Sequence, residues 1–147
     1  MGEDEGRTVV ERYVQALMTG AFDTVHDLRH DDLVIEWPQS GERIRGRDNA
    51  RAVEQNYPGP PTGRLLNLRG RGDLWVAELL LDYSGETTYG CSILELRDGR
   101  IAKETDYFAA PFAAPDWRSR TPKRVTAGES QNQASSAPTS PSTSAFS

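Results

Sequence analysis

The fold of this chain is decided by one stretch, "LELRDGRIAKETDYF", residues 94–108. The segment "RDG" separates two runs of β-prone residues, which is typical of a hairpin turn. The second run carries Glu104 and Asp106 two positions apart, and alternate residues of a strand share one face. Neither face of this run is cleanly apolar, so its pattern leaves open whether the two acids point into water or into a cavity.

Working outward, residues 64–108 contain four β-rich segments that predict an antiparallel meander. The segments are "RLLNLRG", "LWVAELLLDY", "TTYGCSILEL" and "RIAKETDYF", and the turns "RGD", "SGE" and "RDG" lie between them. Each turn contains glycine and is short, as hairpin connections are.

Before the meander, helical and β signals alternate. The predicted elements are a helix opened by the capping box "TVVE" (Thr8–Glu11) and ended by Gly20, a short helix with Phe22, Val25 and Leu28 inward, a strand "LVIEW" (33–37), a brief partner strand in "SGERIRG", and a helix from Asp48 to about Asn56. Helices followed by a meander predict an α+β fold. We expect a cone-shaped, curved antiparallel or mixed sheet that wraps over three N-terminal helices and encloses an apolar pocket for a small molecule.

Composition sets the domain limits. The chain has 147 residues, enough for one domain, and 36% of them are hydrophobic. Residues 119–147 are rich in Ser, Thr, Pro and Ala, a composition that predicts a disordered tail. We expect a flexible N-terminus at 1–6 and a folded domain at 7–118.

Charge and cysteine content exclude several classes of function. The formal net charge is −5 and no basic stripe is present, which argues against a nucleic-acid partner. The acidic start "MGEDEGRTVV" does not resemble a signal peptide, and no apolar run is long enough to span a membrane. Cys91 is the single cysteine, so an intramolecular disulfide and a cysteine-based zinc site are excluded. A cytoplasmic protein is expected.

Four sequence motifs carry a family resemblance. They are "VERYVQALMTGAFDTV", "DDLVIEWP", "GERIRGRDNA" and "LELRDGRIAKETDYF". In this order and spacing the chain, over about residues 7–118, resembles the SnoaL-like branch of the nuclear transport factor 2-like superfamily. That superfamily includes ketosteroid isomerases, polyketide cyclases, epoxide hydrolases, dehydratases and members without catalysis, so the resemblance implies a fold rather than one activity.

The ketosteroid isomerase pattern survives only in part. Its oxyanion-holding tyrosine matches Tyr13, but its general base falls on Trp37, which cannot accept a proton. Its second oxyanion donor falls on Ser92 or Leu94. The resemblance therefore disfavours isomerisation by that route.

The same resemblance implies that Glu104, Asp106 and Phe108 face the cavity. SnoaL-like cyclases keep a catalytic aspartate in this late region, which matches Asp106. We predict three catalytic residues: Asp106 as general base, Glu104 beside it as a second acid that repels further negative charge, and Tyr13 as hydrogen-bond donor to a carbonyl oxygen. Binding of a neighbouring backbone group or arginine is the alternative role for the two acids.

Further residues are predicted to contact a hydrophobic ligand. They are Trp37, Phe108, Tyr83, Leu79, Leu81, Ser92 and Tyr57. Packing in the core is the alternative role for each of them.

Other candidate sites are weaker. His26 and His30 lie four residues apart on the predicted second helix, without a further metal ligand, and are interpreted as surface residues. No arginine is evident between inward acids, which argues against the acid–arginine–acid arrangement of epoxide hydrolases of this fold. No sequence feature implies a metal or an organic cofactor.

The outward face of the sheet is expected to be apolar. It would carry Val76, Leu80, Tyr89, Cys91, Ile93 and Tyr107. Such a face predicts a homodimer, as is common in this superfamily. Three functions follow: an isomerase- or cyclase-like enzyme acting on a hydrophobic, carbonyl-bearing ring compound, a non-catalytic binder of an apolar ligand, or a dimeric adaptor with a vestigial cavity.

Overall fold

The computed structural model describes residues 2–59 and 62–119, and it has the predicted α+β architecture. The elements in chain order are α1 (Glu3–Thr19), α2 (Phe22–Leu28), β1 (Arg29–Trp37), β2 (Glu42–Arg45), α3 (Arg47–Gln55), β3 (Thr62–Arg71), β4 (Leu74–Tyr83), β5 (Glu86–Arg97), β6 (Arg100–Ala109) and α4 (Asp116–Ser119). The chain divides into two compact units, Met1–Ala109 and Ala110–Ser147. The predicted tail lies outside the described residues beyond Ser119, and the predicted domain limits stay a prediction.

Helix ends differ from the sequence predictions in two places. Helix α1 begins at Glu3, before the predicted capping box, while Gly20 ends it as predicted, in the left-handed conformation with φ 74°. Helix α3 has Gly46 as its N-cap, so the prediction that Asp48 caps it is wrong. Asp48 lies in the first turn instead, where its negative charge suits the helix dipole.

Six strands form one curved, unclosed sheet in the order β2-β1-β6-β5-β4-β3. All neighbours are antiparallel except β1 and β6, which are parallel. The turn between β5 and β6 is Asp98-Gly99, with φ 55° and 74°. Two such residues in succession match the type I′ hairpin turn, which fixes the pairing of Arg97 with Arg100 and hence the register of both strands.

Strand β6 contains a bulge that reverses its inward face. Leu96 pairs with Ile101, whereas Glu95 pairs with Lys103, so Ala102 is an extra residue on β6. Ile101 is buried before the bulge, and the next inward residue after it is Glu104. This change of phase explains why neither face of β6 looked apolar in the sequence.

Strand β1 is longer than predicted. It begins at Arg29 rather than at residue 33, and its buried side chains are Arg29, Leu33 and Ile35. The register with β6 shifts between Arg29 and Val34. His30 therefore lies on β1, so the prediction that it shares a helix with His26 is wrong.

The hydrophobic core lies between the helices and the concave face of the sheet. Helix α1 contributes Val10, Tyr13 and Val14, and the sheet contributes Trp75 and Leu94, all of them buried. Helix α1 lies against β3 and α2, and α3 lies against β1. The core thereby presents one helical layer to one face of the sheet, as in other two-layer α+β folds.

The second unit is described only over residues 110–119. It contains the one-turn helix α4, in which the Arg118 guanidinium lies 5.3 Å from the centre of the exposed Trp117 ring. Among the helices of residues 2–59 and 62–119, none is long and apolar enough to cross a membrane.

Candidate functional site

The site is built on the inward face of β6, where the bulge turns Glu104 and Asp106 toward the helices. Both acids are 5% exposed, which is rare for carboxyl groups unless they have partners. The expectation that the two acids point away from solvent agrees with this placement. What they bind decides what they can do.

Both carboxylate oxygens of Asp106 accept hydrogen bonds. Ser92 Oγ, on the neighbouring strand β5, donates to Oδ1 at 2.6 Å. Trp37 Nε1, at the end of β1, donates to Oδ2 at 2.9 Å. An indole nitrogen can only donate, so Oδ2 of Asp106 is an acceptor in this contact. Within residues 2–59 and 62–119, neither Tyr13 nor an arginine is among the hydrogen-bond partners of Asp106.

Tyr13 instead contacts the other acid. Its hydroxyl group donates a short hydrogen bond to Glu104 Oε1. Burial raises the pKa of Glu104 well above its ordinary value, and the charge of Asp106 and a hydrogen bond with it raise the pKa further. Arg29 and the Tyr13 hydroxyl oppose this rise. Glu104 therefore keeps its proton to a higher pH than an ordinary glutamate does.

A buried arginine, which the sequence analysis missed, completes the site. Arg29 is 1% exposed and its Nε donates to the Tyr13 hydroxyl at 2.9 Å. Its two terminal nitrogens donate to both carboxylate oxygens of Glu54, on α3, at 2.7 and 2.6 Å. The prediction that no arginine lies between inward acids is therefore wrong.

The electrostatics of this cluster follow from burial and pairing. Burial alone would lower the pKa of Arg29, but Tyr13, Glu54 and Glu104 together raise it above its ordinary value. Burial and the nearby Glu104 raise the pKa of Tyr13 well above its usual range, so the phenol stays neutral. The buried cluster thus contains one cation, Arg29, that is always charged and always a donor.

A cavity of about 250 Å³ lies in front of the two acids. Glu104, Asp106 and all seven residues predicted to contact a ligand lie on its wall, together with four that the sequence analysis did not name: Leu17, Met18, Val53 and Glu54. That these residues bind a ligand stays a prediction. Tyr13 is fully buried and reaches the cavity through Glu104.

Aromatic rings border the cavity on one side. The rings of Tyr57 and Tyr83 stack with centroids 6.2 Å apart and planes 23° apart. Burial and the hydrogen bond with Tyr57 raise the pKa of Tyr83, so the Tyr83 phenol keeps its proton. Gln39 binds the backbone N–H and C=O of Phe108, each at 2.6 Å, and thereby anchors the end of β6 beside these rings.

The residues that form the site could be recognised only in part from sequence. Arg29 could not be identified as inward from periodicity, because Asp31, between Arg29 and Leu33, is exposed and the register with β6 shifts between Arg29 and Val34. Glu54 gives no signal either, because its partner lies 25 residues earlier in the chain.

No metal site is present in the described part of the chain: residues 2–59 and 62–119 contain no group of three or more His, Cys, Asp or Glu side chains that could hold an ion. His26 and His30 are half-buried on different elements.

Comparison with known proteins agrees with this architecture. A family model for the SnoaL-like domain matches residues 10–104. The chain belongs to the SnoaL-like domain family. Comparison with curated proteins finds no match.

Several solved structures are similar to this SnoaL-like protein. An NTF-2 like protein of unknown function from Burkholderia xenovorans LB400 is 39% identical, with a TM-score of 0.76 over 84% of this chain and 97% of that one. A proposed ketosteroid isomerase from Kribbella flavida DSM 17836 is 27% identical, with a TM-score of 0.78 over 85% and 93%. An LEH-like epoxide hydrolase of M. tuberculosis is 28% identical, with a TM-score of 0.62 over 72% and 84%.

Proposed function

We propose that this protein is an acid–base enzyme that moves a proton at the carbon next to a carbonyl group in a small hydrophobic ring compound. The observation that carries the proposal is the buried pair of Glu104 and Asp106 on the wall of an apolar cavity. Paired carboxyl groups in unequal environments take opposite roles, one as acid and one as base. Glu104 has the environment of the acid, and Asp106 has that of the base.

The size and lining of the cavity define the substrate class. Its volume of about 250 Å³ is below the roughly 300–1,000 Å³ of drug-sized ligand sites. Its walls are aliphatic and aromatic, and two of the aromatic residues, Tyr57 and Tyr83, carry hydroxyl groups. The other polar residues of the wall are Glu54, Ser92 and the two acids. A neutral compound of one or two rings fits this description, whereas an anionic ligand would be repelled by Asp106.

The proposed reaction needs no proton donor or acceptor other than Glu104 and Asp106. Asp106, as a carboxylate, takes the proton from the carbon next to the carbonyl group while Glu104 donates its proton to the carbonyl oxygen. The product is an enol, and the pair still carries one proton, now on Asp106. Return of that proton to a different carbon, with Glu104 recovering its own from the enol, isomerises the substrate.

Two features support this assignment of roles. The base position of ketosteroid isomerases is occupied by Trp37, and the Trp37 indole donates to Asp106, which can supply the missing carboxylate from the next strand of the sheet. The raised pKa of Glu104 lets this residue serve as a neutral acid at a pH where an ordinary glutamate has lost its proton. In this scheme Tyr13 positions Glu104 and does not contact the substrate.

Hydrogen exchange in a simple ketone tests the proposal without the natural substrate. We expect the wild-type protein in D₂O to accelerate loss of the α-hydrogens of 1-tetralone, a two-ring ketone, as followed by ¹H NMR. Asp106→Asn removes the base and is expected to slow exchange by roughly 10²–10⁴-fold. Glu104→Gln removes the acid and is expected to slow it as well.

The matched control is Asp98→Asn, the same chemical change at an exposed hairpin turn. It is expected to leave the exchange rate unchanged. Equal rates for the wild-type protein and Asp106→Asn would remove the enzymatic proposal. If both bound 1-tetralone equally well without exchange, the protein would be a binder of apolar ligands.

Epoxide opening is a second candidate, favoured by Arg29. This arginine lies between Glu54 and Glu104, and an LEH-like epoxide hydrolase is among the similar structures. In this reaction Asp106 takes a proton from water, whose oxygen attacks one epoxide carbon, the carbon–oxygen bond breaks, and Glu104 protonates the released oxygen to give a diol. If the wild-type protein converted styrene oxide to the diol and Asp106→Asn did not, epoxide opening would be supported over enolisation.

We also propose that the protein forms a homodimer through the outward face of the sheet. Val76, Leu80 and Ile93 are half-buried and Tyr89 and Tyr107 are exposed on strands β4, β5 and β6. An apolar face of this kind is usually covered by a partner. Light scattering at micromolar concentration is expected to give twice the mass of the chain, and Tyr107→Asp is expected to halve it. A monomeric wild-type mass would contradict this.

A further inference from the structure

Arg29 takes no part in the proton transfer proposed for the ketone substrate, yet it is the most costly residue of the site to bury. Its guanidinium group lies behind the cavity wall and donates hydrogen bonds to other side chains. Nε donates to the Tyr13 hydroxyl, and the two terminal nitrogens donate to Glu54. Burial of a cation has a large desolvation cost, so stability alone is weak ground for keeping an arginine at this position.

The hydrogen bonds of Tyr13 have a fixed direction because of Arg29. A guanidinium group has donors and no acceptor, so its Nε–H must point at the Tyr13 oxygen. The Tyr13 hydroxyl has one hydrogen, which is then directed to Glu104 Oε1. Oε1 of Glu104 is therefore an acceptor, and any proton on Glu104 must lie on the other oxygen, Oε2.

Asp106 has donors of its own at the other end of the site. Ser92 Oγ donates to Oδ1 and the Trp37 indole donates to Oδ2, and the indole cannot reverse its role. Glu104 and Asp106 share the inward face of β6 and both lie on the cavity wall. Because Oε1 of Glu104 is bound to Tyr13, Oε2 is the oxygen from which Glu104 can donate a proton.

We propose that Arg29 is a positioning residue: it sets the direction of the hydrogen bonds through Tyr13, so that the acidic hydrogen of Glu104 lies on Oε2 and not on the oxygen that is bound to Tyr13. Glu54 holds Arg29 in place from α3 by its two-point ion pair. The inference rests on the proposed function for its purpose, because the acid must offer its hydrogen to the substrate side.

The direction of the Tyr13 hydrogen bond can be measured without any ligand. The observable is the pKa of Glu104, followed by ¹³C NMR in the full chain with labelled glutamate and assigned with Glu104→Gln. If Tyr13 donates to Glu104, it stabilises the charged form, so Tyr13→Phe raises the pKa. If Tyr13 accepted from Glu104, the same change would lower the pKa, and a fall would overturn the inference.

The action of Arg29 through Tyr13 is tested by a double-mutant cycle. Arg29→Lys keeps the positive charge but loses the planar guanidinium that holds Tyr13 and Glu54 together. We expect it to raise the pKa of Glu104 in the wild-type background and to have no further effect when Tyr13→Phe is already present. Additive shifts, or no shift in the single variant, would overturn the positioning role.

Two controls keep the result interpretable. Arg29→Gln retains an N–H donor without the charge, and far-ultraviolet circular dichroism verifies that each variant is folded. If the Arg29 variants do not fold, the sign of the Tyr13→Phe shift still decides the direction of the hydrogen bond. The titrations use no ketone, so they test the positioning role of Arg29 separately from the proposed function. Failure of 1-tetralone exchange would reject the proposed function, and the pKa of Glu104 in the variants would still decide the role of Arg29.

Discussion

The two faces of the sheet each contain residues that hydropathy alone would place on the other. The largely apolar inner face also buries Glu104, Asp106 and Arg29, whereas the outer face leaves Tyr89 and Tyr107 48% and 42% exposed. Each of the three buried polar side chains has hydrogen-bond partners. The contrast teaches that charge belongs in this core because it is paired, and that apolar residues outside indicate a surface for contact rather than a core.

The largest effect is expected from breaking the inner cluster at its cation. Arg29→Met removes the partner of Glu54 and Tyr13 and leaves the half-buried Glu54 carboxylate uncompensated, so we expect the free energy of unfolding to fall by up to about 3–5 kcal/mol. Urea denaturation measures this loss. The control Arg43→Met removes an exposed ion pair with Glu36 and should have almost no effect. Similar losses in both variants would contradict the contrast.

A smaller effect is expected from removing one donor to Asp106. Trp37→Phe keeps a ring at the cavity wall but loses the indole N–H, and hydrogen bonds to charged groups contribute about 1.5–3 kcal/mol. Urea denaturation is again the measurement. Trp117→Phe, the same change at a residue that is 66% exposed, should have almost no effect. A wild-type stability in Trp37→Phe would show that Asp106 does not depend on this donor.

The pH dependence of stability sharpens the comparison further. The pKa of Glu104 is raised by folding, so the folded state binds more protons than the unfolded state above the ordinary carboxyl value of 4.5. Wild-type stability should therefore fall relative to Glu104→Gln as pH rises from there, by at most about 1.4 kcal/mol per pH unit, until the folded pKa is passed. The exposed Glu95→Gln is the control. If the wild-type protein instead lost stability relative to Glu104→Gln as the pH falls, the prediction would be wrong.

The smallest effect belongs to the outer face. Tyr89→Ser removes an exposed ring, and the free energy of unfolding at high dilution is expected to change by no more than about 0.5 kcal/mol. The same change should weaken association at high concentration if a second chain covers this face. A large loss of stability at high dilution would mean that the outer face is part of the core of one chain.

The sequence was informative about the fold because its turns and helix periods are local signals. The Asp98-Gly99 turn and the glycine at the end of α1 lie where the pattern predicted them. The orientation of Glu104 and Asp106 came from family resemblance instead. Periodicity could not supply it, since the bulge at Ala102 changes the phase of β6 halfway along the strand.

The cluster around Arg29 was missed for a different reason. The segment that opens β1 is polar, "RHDD", and its β character comes from pairing with β6 rather than from its own residues. The contacts of Arg29 with Tyr13 and Glu54 join three elements that are distant in sequence. Such contacts leave no periodic trace in a single chain.

The extra residue on β6 has a consequence for how this protein can change. The bulge takes up Ala102 outside the ladder, so Ile101 faces the core on one side of it while Glu104 and Asp106 face the cavity on the other. If Ala102 were paired in a regular strand instead, Lys103, Thr105 and Tyr107 would take the inward positions and both acids would turn outward. Deleting Ala102 would remove the bulge and leave Glu104 opposite Leu94, so this variant is expected to keep both acids inside the protein.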